Sequence, residues 1–155
     1  MSAYLLVKTL HILSAAVLFG TGLGIAFFMV RSHFADNLQQ KIYAARNTVL
    51  ADTLFTLPAV VLQPVTGIWL MLHAGFRFTD FWIMSSIGLY LLAGACWLPV
   101  VWIQLRLRDL LQQAAITETP LPAIYRRLFV LWFALGWPAF IAVMLIFYLM
   151  VAKPL

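Results

Sequence analysis

Polar residues are sparse along this chain, and they cluster. Four stretches hold little that water would stabilise: Ala3 to Val30, Thr48 to Leu72, Phe81 to Leu105, and Leu128 to Ala152. Each exceeds the ~20 residues a helix needs to cross roughly 30 Å of hydrocarbon at about 1.5 Å per residue. A backbone in lipid must satisfy its own hydrogen bonds, which a helix does within one segment. The alternation a transmembrane barrel requires is absent from all four stretches. The pattern predicts an all-α polytopic membrane protein, a single-domain bundle of four transmembrane helices at about 3–30, 48–72, 81–105 and 128–152. The opening run, Met1 to Leu13, has the look of a signal peptide. It continues to Val30, interrupted mainly by Lys8 and His11, and is too long for a signal core, so we read it as a retained helix.

Composition agrees. Hydrophobic residues make up 65% of the chain and charged residues 10%, against about 45–50% and about 25% in soluble domains. A soluble domain of this size could not bury that much apolar surface, and lipid supplies the missing partner. The net charge of +5 comes from basic residues lying mostly between the apolar blocks. That placement points to a membrane surface and not to nucleic acid. With one cysteine, Cys96, there is no intrachain disulfide and no thiolate metal cage.

The distribution of Lys and Arg predicts orientation. The longer connections, Arg31 to Asn47 and Arg106 to Arg127, hold Arg31, Lys41, Arg46, Arg106, Arg108, Arg126 and Arg127; the opposite side holds Lys8, Arg77 and Lys153. Seven against three places the longer loops in the cytoplasm. Both termini then face the periplasm of a bacterial inner membrane. Thr119-Pro120-Leu121-Pro122 interrupts any helix in the second long connection, and Gly75 marks the short link from His73 to Asp80.

Ala16, Gly20 and Gly24 recur every four residues on the first helix, a spacing that lets backbones approach closely. Pro58, Pro64, Pro99 and Pro138 lie inside the later blocks and are expected to kink them. Tyr4, Trp82 and Tyr148 sit near block ends, where an aromatic belt would place them.

Ionisable groups at membrane depth are costly and each needs a reason. His11 lies about eight residues into the first helix, one turn from Lys8 on the same face. A neutral imidazole there can ligate haem iron or another metal, relay protons, or hydrogen-bond a neighbouring helix. Counting inward from the same face in antiparallel order brings Gln63 and Thr66, Tyr90, and Met144 to a similar depth. His11, Gln63, Thr66, Tyr90 and Met144 are therefore the candidate cofactor-binding residues. His11 and His73 are the candidate metal ligands, His73 only if its helix reaches inward and otherwise a solvated interface residue, as a His at a helix end more often is. His33, near the other face, is too distant to share that site. Asp52, near the arginine-rich end of the second block, is expected to pair with Arg31, Arg106 or Arg126, with a proton-carrying role as the alternative. Gln104, Arg106 and Arg108 are expected to end the third helix among lipid headgroups. Covalent-haem, phosphate-loop, zinc-protease and Ser–His–Asp signatures are absent.

Lys8-Thr9-Leu10-His11-Ile12-Leu13, followed by Gly20-Thr21-Gly22 and Arg31-Ser32-His33, with Pro64-x-x-Gly67 and Trp97-Leu98-Pro99, resembles an uncharacterised bacterial family of predicted integral membrane proteins. The Lys-x-x-His start and the later His after an Arg are also distantly similar to HemJ-type protoporphyrinogen oxidases. That resemblance implies His11 as a haem ligand. The Lys that family carries near the start of its third helix has no counterpart in Trp82-Ile83-Met84-Ser85-Ser86.

Three functions are compatible with the sequence. The first is haem b binding in the bundle with a redox or electron-transfer role. The second is a cofactor-free structural or accessory subunit, as a homo-oligomer or in a membrane complex, joined through Ala16, Gly20 and Gly24. The third is small-solute or ion passage using Asp52 and His11.

Overall fold

A computed structural model describes residues 2–154. The described residues fold into helices with no strand among them. Four are long and apolar enough to cross a bilayer: α1 (Ala3–His33), α2 (Leu38–His73), α3 (Phe81–Thr117) and α4 (Ala123–Ala152). Two of them run well past their apolar blocks. α2 begins at Leu38, inside the polar stretch, and α3 carries Gln104, Arg106 and Arg108 on to Thr117. Polar sequence beyond the hydrocarbon can stay helical because water and headgroups solvate its side chains without competing for the ladder.

The ends are set by local chemistry. The Ser2 hydroxyl accepts from the Leu5 N–H, and the Asn37 side chain accepts from the Gln39 N–H at 2.8 Å, each capping a helix start. α3 stops where Glu118 turns left-handed at φ 52° and the Thr119 N–H returns to the Ala114 carbonyl. Pro120 and Pro122 then hold off the next helix until Ala123. Gly75, at φ 76°, makes the tight exit from α2 that a side chain would resist.

α2 is not uniform. Leu38–Ala51 and Leu57–His73 are α-helical, while Asp52–Thr56 widens into a π-turn in which the Leu57 N–H bonds the Asp52 carbonyl. Pro58 follows at once. Its ring supplies no N–H for the preceding turn, so the ladder is already interrupted where the helix widens.

α3 and α4 pack along each other; α1 lies along the terminal half of α2; and the arginine-side half of α2 reaches across to α3. The main core joins all four helices on the arginine-bearing side, through Ile25, Met29, Ala45, Ile103, Leu107, Leu111, Phe129 and Trp132. Ile103, Leu107 and Leu111 form a stripe at every fourth residue and are almost fully enclosed. A smaller cluster of Met71, Trp82, Ile83 and Leu149 closes the side bearing the termini. Lys153 Nζ lies 5.6 Å from the Trp82 ring centroid and 5.0 Å from that of Phe76. Trp82 is thus buried in that cluster and not displayed in a lipid-facing belt, whereas Tyr148 is exposed.

The small residues of α1 do not carry the close packing expected within the chain. A Cβ built on Gly20, Gly22 or Gly24 would meet nothing within 4 Å, and Ala16 is exposed. The close approach involving α1 occurs instead at Gly67 of α2.

Candidate functional site

His11 is fastened to α2 through both its ring and its backbone. The Thr66 hydroxyl donates its one hydrogen to the Leu62 carbonyl at 2.6 Å, a bond a helical Thr makes readily one turn back. With that hydrogen engaged, Thr66 Oγ1 can only accept from His11, whose Nδ1 lies 2.7 Å away. The hydrogen-bond network therefore assigns the proton to Nδ1 and leaves the lone pair on Nε2. Nε2 has no hydrogen-bond partner among the described residues. One turn along, Gln63 Nε2 donates to the His11 carbonyl at 2.9 Å and to Ser14 Oγ at 2.6 Å, while Ser14 Oγ donates to the same carbonyl at 3.0 Å. Gln63, Thr66 and Gly67 stand three and four residues apart, so one face of α2 presents all three to His11. Gly67 permits the contact, since a Cβ there would lie 3.3 Å from His11 Cε1.

Of the residues expected at this depth, the structure joins His11, Gln63 and Thr66 in one network. Tyr90 sits on α3, where its hydroxyl donates to the Val60 carbonyl and ties α3 to the middle of α2. Met144 is half-exposed on α4. His73 turns back on its own helix: Nδ1 contacts the Trp69 carbonyl at 2.9 Å, and its ring stacks on Trp69 at 3.6 Å between centroids. It lies seven residues past Thr66, roughly 10 Å further along α2. Ser14 and Gly67 complete the site without having been placed in it from sequence, Gly67 having been noted only in the Pro64-x-x-Gly67 motif; their helical spacing from His11 and Gln63 was the available signal.

A second polar cluster lies deeper, toward the arginine-bearing side. Asp52 is 7% exposed, and its carboxylate faces Thr56 one turn on and Trp97 and Gln104 of α3. The expected pairing of Asp52 with Arg31, Arg106 or Arg126 does not occur. The only ion pair among the described residues is Arg108 with its neighbour Asp109, at 2.8 Å. Gln104 also departs from expectation. It is 3% exposed and turned toward Asp52, because α3 continues past it and rotates it inward, off the headgroup side.

The arginine-bearing side also holds an open groove of about 1860 Å³ between α1 and the first half of α2. Arg31, Arg46 and Arg108 line it together with Ile25 and Phe28, and it shares no residue with the His11 network.

A family model described as predicted integral membrane protein (DUF2269) matches residues 5–154, nearly the whole chain. No curated protein and no solved structure matches the chain. The match places the helices in a lipid bilayer and carries no oxidase assignment.

Proposed function

We propose that this chain, which belongs to the DUF2269 family of predicted integral membrane proteins, binds haem b through His11 and serves a redox or electron-transfer role. The observation that carries the reading is the Thr66 hydroxyl. Spent on the Leu62 carbonyl, it accepts the Nδ1 proton of His11 and leaves Nε2 with a lone pair and no partner. Iron-ligating imidazoles are held in this way, with one nitrogen anchored by a second group and the other free to coordinate. The donor set fits a single protein ligand at the iron. Tyr90 is committed to Val60, and His73, whose Nδ1 is anchored on the Trp69 carbonyl, lies roughly 10 Å further along the helix than Thr66, so His11 is the strong donor at this depth. Bound haem would supply one-electron chemistry. Ser14 and Gln63 would fix the depth of the ligand by holding the His11 backbone, and Thr66 would fix its tautomer and orientation. The setting is the bacterial inner membrane, with the termini in the periplasm.

The test is optical. Protein purified in detergent from haem-replete cells should show a Soret band, and His11→Ala should abolish it while the protein stays monodisperse. A colourless wild-type preparation would overturn the reading.

A second reading rests on the open face of α1, where Gly20 and Gly24 meet nothing and Ala16 is exposed. On it the protein is a cofactor-free structural or accessory subunit, and another membrane helix packs on that face. His11→Ala would then cost stability or assembly with no absorbance to lose. Crosslinking and particle size in detergent separate the two readings.

A further inference from the structure

The Asp52 cluster is independent of the His11 network and of any cofactor there. Four of its buried side-chain polar atoms have no hydrogen-bond partner among the described residues, Asp52 Oδ2, Thr56 Oγ1, Trp97 Nε1 and Gln104 Oε1, and the last three belong to residues set against the Asp52 carboxyl. Asp52, Thr56 and Gln104 are each more than nine-tenths buried. The groups set against the carboxylate are Thr56 from its own helix and Trp97 and Gln104 from α3; no Lys, Arg, His or second carboxylate faces it among the described residues. A carboxylate in that setting is disfavoured as a bare anion, and taking up a cation relieves the cost.

The geometry points to the cation being a proton: we propose that Asp52, Thr56, Trp97 and Gln104 form a proton-binding site inside the bundle, approached from the arginine-bearing side. The donor count favours a proton over a metal ion. Hard cations take about six or more oxygens, whereas this cluster offers the side-chain oxygens of Asp52, Thr56 and Gln104. It also presents the Trp97 N–H, a donor that suits a carboxyl oxygen and opposes a metal. A neutral carboxyl closes the set after small rotations. Its O–H donates to Gln104 Oε1, and the Trp97 N–H and the Thr56 O–H donate to its oxygens. On release of the proton the Gln104 amide can turn its N–H₂ toward the carboxylate, so both states are served by the same neighbours. The π-turn spans Asp52–Thr56 itself. Such turns recur at functional sites and give a helix slack to re-aim a side chain. Arg108 follows Gln104 by one turn of α3, which places the headgroup region within a turn of the cluster.

Infrared difference spectroscopy on the full chain in nanodiscs of phosphatidylcholine and phosphatidylglycerol tests this across a pH series. The expected result is a carboxylic-acid C=O band, characteristic of a dry setting, that titrates with pH. Asp52→Asn should remove it, and exchanging sodium for a large organic cation should leave it unchanged. Trp97→Phe should shift the band without removing it, which retains a readout if Asp52→Asn folds poorly. Two results would overturn the proposal. One is a titration with no band dependent on Asp52 or Trp97. The other is a band whose midpoint moves with sodium concentration, which would make the occupant a metal cation.

Discussion

Gly67 lies against the ring of His11 so closely that a Cβ on it would stand 3.3 Å from Cε1 and 3.9 Å from Nδ1. The imidazole therefore rests on the backbone of α2. Gly67→Ala should push the ring outward by a few tenths of an ångström and lengthen the bond to Thr66. Overpacking of this kind costs about 1–3 kcal/mol. Thermal unfolding in detergent should register the loss, and on the haem reading the Soret band should shift or weaken. An alanine variant as stable and as coloured as the parent would show that the ring has room the structure denies it.

Thr66 and His11 form the second half of that relationship. Thr66→Val keeps the shape and removes the acceptor, leaving the Nδ1–H without a partner. Interhelical hydrogen bonds in membranes contribute about 0.6 kcal/mol on average, while a buried donor left unmade costs about 1–3 kcal/mol. The expected loss therefore lies near 1 kcal/mol. Thr66→Ser, which restores the hydroxyl, should recover most of it. Unfolding of the two variants in mixed micelles makes the comparison, and equal stability for both would remove the hydrogen bond from the account.

What the sequence disclosed, and what it did not, follows from how each signal arises. Span existence is a matter of hydropathy summed over many residues, so the four apolar blocks were legible. Helix ends were less so, because Leu38 to Asn47 and Gln104 to Thr117 are polar yet helical; hydropathy reports where lipid stops, not where the ladder stops. The pairing of His11 with Gln63 and Thr66 could be found by counting depth in antiparallel order, since both helices rise equally per residue. The direction a side chain takes around its helix could not. Gln104, next to Arg106 and Arg108, reads as a headgroup anchor until rotation turns it toward Asp52. Gly20 and Gly24 carry the spacing of a packing seam, yet the glycine that accepts a close neighbour is Gly67. The π-turn at Asp52–Thr56 has only Pro58 as a sequence trace.

The packing of α3 gives a contrast that needs no cofactor. Leu107 is fully enclosed within the core that joins all four helices, whereas Leu98, nine residues earlier on the same helix, is 66% exposed. Leu107→Ala should create a cavity costing about 2–5 kcal/mol. Leu98→Ala should stay within about 0.5 kcal/mol, as substitutions away from packed sites do. Denaturation of the pair in the same detergent decides the matter. Similar losses at both positions would mean that an additional subunit covers Leu98, or that the core is not centred where the structure puts it.

Orientation in the bilayer yields a further test, because it rests on charge alone. Arg31, Lys41, Arg46, Arg106, Arg108, Arg126 and Arg127 gather at one end of the bundle, and only Lys8, Arg77 and Lys153 lie toward the other. In a bacterial inner membrane, the proposed setting, the membrane potential and the anionic inner leaflet would both hold such a cluster on the cytoplasmic side. Cys96 is buried and is the chain's one thiol, so Cys96→Ala provides a silent background. In that background Lys153→Cys should react with a membrane-impermeant maleimide in intact spheroplasts. Asp36→Cys, in the turn between α1 and α2, should react only after lysis. The reverse pattern would invert the protein and place the His11 network in the cytoplasmic leaflet. Labelling of both positions before lysis would mean that the chain inserts in two orientations, a result the seven-to-three charge bias argues against.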